Sequence, residues 1–335
     1  MRISKVIQTI DTHTYGNPTR TVVSGIPPLV GRTMEEKREY FEKHFDWVRT
    51  VTMYEPRGSS AMSGAVLTTP CHDEADYGVI FIDSGGYFPM CGHSTIGVAT
   101  MLIETGMVTV DEPVTNLVID TPAGIVRIAV EVRENQACNV SFVNVPCFLY
   151  QTKELFFENL GPVELDVAYG GGSFVLVPTE PFGLEISRNF VPRLLAASHV
   201  VLEKANTEIG FHHPEKPEIK GIQQVHWYSQ KVSRDDVHAK SFNVLLPGFD
   251  RSPCGTGTSA RAVVEFVKGK IGINEEFAQE SVTGGRFVSK ILEPIEIGGF
   301  KGAIPSLSGE AHLTGCCSFL VDPNDPLGLG FEAYV

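Results

Sequence analysis

No stretch of this sequence approaches the ~18 uninterrupted apolar residues of a membrane-spanning helix. Its opening, Met1-Arg2-Ile3-Ser4-Lys5-Val6, has neither the long apolar core nor the cleavage site of a signal peptide. Positive charge is scarce: 27 Lys and Arg against 40 Asp and Glu leave a net charge of −13, without a basic cluster to offset it. That balance excludes nucleic acid as a natural partner. The seven cysteines, an odd number, include no Cys-x-x-Cys and no regular spacing, which excludes a disulfide framework and a structural zinc site. There is no low-complexity linker. The expectation is a soluble, cytoplasmic protein with reduced thiols, in which Cys71, Cys138, Cys147, Cys316 and Cys317 serve as small apolar filler on strands or strand ends.

What is present is many short strands and few helices in 335 residues, a length that suits two domains of roughly 150 residues. Period-two or continuous β-rich runs occupy residues 3–9, 65–69, 79–83, 117–120, 125–132 and 139–145, and then 174–177, 242–246, 287–292 and 312–321. Helices are expected at 34–45, where Thr33 and Glu36 form a capping box, and at 191–205. Two more, at 94–104 and 258–268, carry apolar residues on most faces and so belong inside a lobe rather than on its surface. The simplest architecture is a strand-rich lobe around one apolar helix, occurring twice, with the active site between the lobes. The expected division is 1–155 and 156–335, at a boundary between Phe148 and Val167 marked by the turn signal Gly161-Pro162, with the last strands able to return to the first lobe.

Each apolar helix opens on a near copy of one motif: Met90-Cys91-Gly92-His93-Ser94-Thr95-Ile96-Gly97, and Pro253-Cys254-Gly255-Thr256-Gly257-Thr258-Ser259-Ala260. A thiol at a helix N-terminus meets unpaired amide N–H groups and the positive end of the helix dipole, which lower its pKa and also bind carboxylates. The amides following the two cysteines, from Gly92, His93, Ser94, Gly255, Thr256 and Gly257, are therefore candidates to hold a substrate carboxylate. Plain helix-start geometry explains the same glycines.

At this point the chain strongly resembles the proline racemase family. The matching stretches are Asp11-Thr12-His13-Thr14, Glu55-Pro56-Arg57-Gly58, Met90-Cys91-Gly92-His93, Thr121-Pro122-Ala123-Gly124, Tyr169-Gly170-Gly171 and Asp250-Arg251-Ser252-Pro253-Cys254-Gly255-Thr256-Gly257-Thr258-Ser259-Ala260. The resemblance implies an α+β, diaminopimelate-epimerase-like fold of two pseudo-symmetric lobes, each a curved sheet or barrel around a central helix. It implies a cofactor-independent racemase or epimerase in which Cys91 and Cys254 act on opposite faces of the α-carbon of a cyclic imino acid, one removing a proton and the other delivering one. Cysteine suits that task because its ordinary pKa of ~8.5 can be brought near working pH.

The resemblance also implies that Asp250 ligates the substrate nitrogen with His93 nearby, against the alternatives of a turn residue for Asp250 and a structural hydrogen bond for His93. His212 and His213 lie in a Pro-rich loop without ligand spacing, so no metal is expected. Proline racemases of the family typically carry Phe at the positions of Ser63 and Val244; the smaller residues here match the hydroxyproline 2-epimerase pattern and leave room for a ring hydroxyl that Ser63 can bond, the alternative for Ser63 being a small strand residue. The chain departs from the common pattern in Tyr15-Gly16-Asn17-Pro18, where Ala-Gly-Glu-Pro is usual, and at Ser59, where His is usual. The expected substrate is trans-4-hydroxy-L-proline, with proline as the alternative. Dehydration of 3-hydroxyproline is a rival that Cys254 opposes, since Thr replaces that cysteine in the dehydratase branch. A thiol hydrolase needs a triad that neither motif requires, and a non-catalytic binding protein has no need of both cysteines. A homodimer is allowed.

Overall fold

The computed structural model describes residues 4–158, 160–217, 219–246 and 248–332. The chain forms two compact units, one of Met1–Phe142 with Gly309–Val335, the other of Val143–Ser308. This differs from the expected division. The first unit ends before residues 143–155, which the expected division gave to it; the C-terminal stretch, whose return the sequence left open, belongs to it.

In the first unit, β1 (Lys5–Thr14) and β2 (Asn17–Ser24) form a hairpin. Helix α1 (Met34–Met53) then crosses over to β3 (Ser63–Thr68), which runs parallel to β2, as a parallel pairing requires of its connection. The capping residues act as expected at one end: Thr33 Oγ1 accepts from the Glu36 N–H at 3.1 Å, while Glu36 reaches back to the Arg32 N–H rather than to that of Thr33. Phe45, where the helix was expected to stop, is a kink at φ −133° within a longer helix. From β3 the chain runs antiparallel through β4 (Tyr77–Asp83) to the short β5 (Tyr87–Phe88), and then enters α2 (Gly92–Glu104). Strand β6 (Val114–Thr121) returns parallel to β4, followed by β7 (Gly124–Arg133) and β8 (Gln136–Val143).

From its second strand on, the second unit has the same order of elements; its first strand has its counterpart in the C-terminal strand that joins the first unit. Strands β9 (Cys147–Phe157), β10 (Gly161–Tyr169) and β11 (Ser173–Pro178) are antiparallel, and α3 (Val191–Glu208) crosses over to β12 (Gln224–Ser229), parallel to β11. Then come β13 (Ala239–Leu245), the short β14 (Gly248–Phe249), α4 (Gly255–Val267), β15 (Glu276–Glu280) parallel to β13, β16 (Arg286–Ile297) and β17 (Phe300–Gly309). Strand β17 pairs back onto β9 through Gly302 with Phe148 and Ala303 with Cys147, closing this unit into a barrel. Finally β18 (His312–Val321) pairs along β1 from Lys5 with Val321 to His13 with His312, which ties the C-terminal stretch into the first unit.

The expected boundary is thus a hairpin, β9 to β10. Adjacent exposed Gln151 and Thr152 interrupt the pattern of β9, exposed Phe156 sits on its outer side, and Gly161-Pro162 starts β10 rather than separating lobes. Residue 3, the expected start of the first strand, lies outside the described residues.

The helices of each unit divide between surface and centre as their patterns require. Helices α1 and α3 are amphipathic; α3 buries Leu194, Ser198, Val201 and Ala205, with Trp227 Nε1 donating to Ser198 Oγ at 2.8 Å. By contrast every residue of α2 from Gly92 to Ile103 is buried. In α4, Ala262 and Val263 pack against Phe277 and Ile291, while Ala260 and Val264 pack against Phe174 and Leu176. A helix apolar on all sides is stable only inside such a shell, and each large aliphatic side chain so buried contributes about 1.5–3 kcal/mol.

Candidate active-site motifs

Both cysteines occupy the N-cap of the central helix of their unit, each just after the short strand that ends the preceding hairpin. Cys91 is extended (φ −139°), and its carbonyl accepts from both the N–H and the Oγ1 of Thr95, at 2.9 and 2.8 Å. Its sulfur lies 3.5 Å from His93 Nδ1 and 3.4 Å from Ser94 Oγ. Burial opposes ionisation of this thiol, but the charge of His93 and the hydrogen bonds from His93 and Ser94 outweigh it and bring the pKa below that of an ordinary cysteine. The α2 N-terminus is fixed from below, because Thr14 Oγ1 donates to the His93 carbonyl at 2.8 Å and Thr19 Oγ1 to Ser94 Oγ at 3.3 Å.

Cys254 is buried, and its sulfur accepts from the Gly257 N–H at 3.4 Å, with Thr256 Oγ1 at 3.6 Å. Its backbone sits at φ 66°, ψ 109°, a conformation that a residue with a side chain adopts only when its surroundings enforce it. The enforcing contacts are visible. Asp250 Oδ1 accepts from the Ser252 N–H at 2.8 Å, Ser252 Oγ from the Cys254 N–H at 3.2 Å, and the Pro253 carbonyl from the hydroxyls of Ser241 and Thr258. Asp250 therefore builds the turn that presents Cys254.

The Tyr169-Gly170-Gly171 stretch supports the same helix. A Cβ on Gly170 would lie 2.2 Å from the Thr256 carbonyl oxygen and 2.9 Å from Ala260 Cβ, so only glycine lets α4 approach this closely. Beneath Gly257 lies His226, fully buried, with Nδ1 3.4 Å from Asn243 Oδ1 and Nε2 3.2 Å from Gln279 Oε1. Burial drives its pKa down to about 4, so the ring is neutral at physiological pH.

Of the remaining expected residues, Gly92, His93 and Ser94 lie in the first turn of α2, and Gly255 and Thr256 in that of α4. Ser63 is half-buried at the start of β3, opposite Asp83 of β4. Val244 is buried in the apolar cluster of the second unit, opposite Val225 and Phe249. His213 Nδ1 accepts from the N–H groups of Glu215 and Lys216, and His212 pairs with the Tyr150 hydroxyl. Among the described residues no group of three or more His, Cys, Asp or Glu is placed to hold a metal ion, and no helix is long and apolar enough to cross a membrane. All seven cysteines are free. The filler expectation holds for buried Cys147 and, in packing, for Cys71, which lies against the core of the first unit but in a loop; Cys138, Cys316 and Cys317 are on strands as expected, but Cys138 and Cys317 are only half-buried and Cys316 is exposed, so filler needs correcting there.

Sequence reasoning gave no role to Asn17, Asp83, His226 and Ser252. Two of them carried a signal: Asn17 stands in the stretch that departs from the common pattern, and Ser252 in the long stretch that matches it. Asp83 is held above the usual carboxylate range by burial, against the N–H groups of Gly86 and Gly85 and the charges of Arg49 and His93.

The chain matches the family described as Proline racemase over residues 9–332. It belongs to the proline racemase family. It is 42% identical to the 4-hydroxyproline 2-epimerase of Streptosporangium roseum and 41% identical to the proline racemase of Clostridioides difficile, covering 99% of both chains in each comparison. Among solved structures, a hydroxyproline epimerase from Agrobacterium vitis with bound trans-4-hydroxy-L-proline superposes with a TM-score of 0.88 at 28% identity, over 99% of this chain and 96% of that one. The fold is the expected α+β, diaminopimelate-epimerase-like one of this family, and the chain is an isomerase of the racemase and epimerase kind.

Proposed function

We propose that this isomerase inverts the α-carbon of a cyclic imino acid with Cys91 and Cys254 as a two-thiol acid–base pair, and that its substrate is trans-4-hydroxy-L-proline, converted to cis-4-hydroxy-D-proline. The observation that carries the mechanism is the repetition: in each unit a hairpin, a crossover helix and a further run of strands lead to a buried central helix capped by a cysteine. For one epimer, one sulfur as thiolate takes the α-proton, the C–H pair staying on carbon as a carbanion, and the other as thiol returns a proton to the opposite face. The thiol and thiolate have then exchanged roles, and the reverse direction starts from that state. Growing negative charge on the substrate carboxylate is met by the first-turn amides of the two helices. Asp250 is proposed to pair with the substrate ammonium through the carboxylate that also shapes the Cys254 turn. No step calls for a metal, pyridoxal phosphate or nicotinamide, and the reaction suits a soluble, cytoplasmic enzyme.

Ser63 and Val244 support hydroxyproline over proline, the first as a hydroxyl able to bond the ring hydroxyl, the second as a small wall. Relatives named for each substrate are equally similar to this chain, so proline is the second reading. The test is chiral chromatography of the purified protein with trans-4-hydroxy-L-proline and L-proline. A larger kcat/KM for hydroxyproline is expected, and equal or better turnover of proline would overturn the substrate while leaving the mechanism standing.

A further inference from the structure

We propose that Asn17 is a positioning residue for Cys91: its side-chain amide donates to His93 Nε2, fixes the ring as the Nδ1–H tautomer, and so turns a hydrogen-bond donor onto the Cys91 sulfur. The contacts run in one line. Asn17 Nδ2 is 2.9 Å from His93 Nε2, and His93 Nδ1 is 3.5 Å from Cys91 Sγ. An amide NH₂ only donates, so the nitrogen facing it is the bare, accepting one, and a neutral imidazole then carries its proton on the other nitrogen.

A second contact points the same way. Ser94 Oγ lies 3.2 Å from the same Nε2 and accepts from Thr19 Oγ1 at 3.3 Å, which leaves the Ser94 proton to be donated toward Nε2 or the cysteine sulfur. All four side chains of this group are buried: Asn17, Thr19, His93 and Ser94. In that setting a mismatched donor–acceptor pair is costly, so the tautomer follows its partners. Asp83 of β4 and the ring act on each other, and Arg49 of α1 acts on Asp83; Thr14 of β1 and Thr19 of β2, which bond the start of α2, are neutral.

The consequence is a thiolate that, while the ring is neutral, still meets an N–H donor set in place by Asn17, and that gains the ring's charge as well when His93 is protonated. It rests on the proposed role of Cys91 as a base, yet it is read from Cys91 alone and without substrate. The experiment follows iodoacetamide alkylation of Cys91 by mass spectrometry as a function of pH, in wild type and Asn17→Leu. Without the Asn17 donor the ring is free to protonate Nε2 and turn a bare nitrogen to the thiol. The alkylation midpoint should rise by about one pH unit, about a tenfold slower reaction below it, while that of Cys254 stays where it was. An unchanged or lowered Cys91 midpoint overturns the proposal. Should Asn17→Leu fail to fold, ¹⁵N-histidine spectra of the wild type, assigned with His93→Gln, decide it: a protonated Nδ1 and bare Nε2 are expected, and a protonated Nε2 overturns it. Absence of epimerase activity would refute the proposed function and leave both readouts intact.

Discussion

Titration of His226 should make this protein lose stability in acid by an amount that can be worked out. The ring lies under the N-terminus of α4, fully buried, and burial pulls its pKa from 6.5 to about 4, with the charge of Arg261 adding to the effect and the bonds to Gln279 and Asn243 opposing it. The unfolded chain binds this proton near pH 6.5 and the native one near pH 4, so between those values unfolding takes up a proton and stability rises with pH. The contribution is present in full above pH 6.5 and is lost as pH falls through about 4. Between about pH 7.5 and about pH 4 the loss comes to about 3 kcal/mol. The perturbation is His226→Gln, which removes the titration while keeping an amide in the polar pocket. Urea denaturation of both proteins across that range measures it, and the readout is the difference between their pH slopes, which any general cost of the substitution does not move. Parallel slopes would show that His226 takes up its proton alike in the native and unfolded states and would refute the reasoning.

Gly257→Ala places a methyl 2.5 Å from His226 Nδ1 and 3.2 Å from Cys254 Sγ. Overpacking of about 2 kcal/mol, offset by up to about 1 kcal/mol of alanine's helix propensity, should leave the variant less stable in urea and Cys254 slower to alkylate; wild-type values of both would contradict the packing described. Arg20→Met removes a guanidinium that pairs with Asp11 at 2.8 Å and donates to the Thr52 and Arg57 carbonyls. Stranding that carboxylate and those carbonyls should cost about 3 kcal/mol in urea denaturation, and a loss within error of zero would show that the cluster is solvated.

The central helices and their cysteines were legible because a buried helix must be apolar on every face, and residues 94–104 and 258–268 show that without help from tertiary structure. Strand β18 was read to the residue, since its turns flank it closely. The hairpin β9 to β10 was not, because Phe156 is apolar yet exposed, Gln151 and Thr152 are adjacent and both exposed, and Asp166 is polar yet buried; on β2 and β12, likewise, Thr, Ser and His fill buried places. At the site, both cysteines and their helix-start position could be read from composition and order. What sets their chemistry could not. Asn17 reaches His93 across 76 residues of sequence and His226 meets Gln279 across 53, and no local pattern carries such pairings.

The most direct measurement of the two-thiol claim is proton NMR of trans-4-hydroxy-L-proline incubated in deuterium oxide with wild type, Cys91→Ser and Cys254→Ser. The account predicts that wild type forms cis-4-hydroxy-D-proline bearing deuterium at C2, and that neither folded single variant forms it. Substantial epimerisation by either single variant, or an epimer that has kept its original C2 proton, would contradict it.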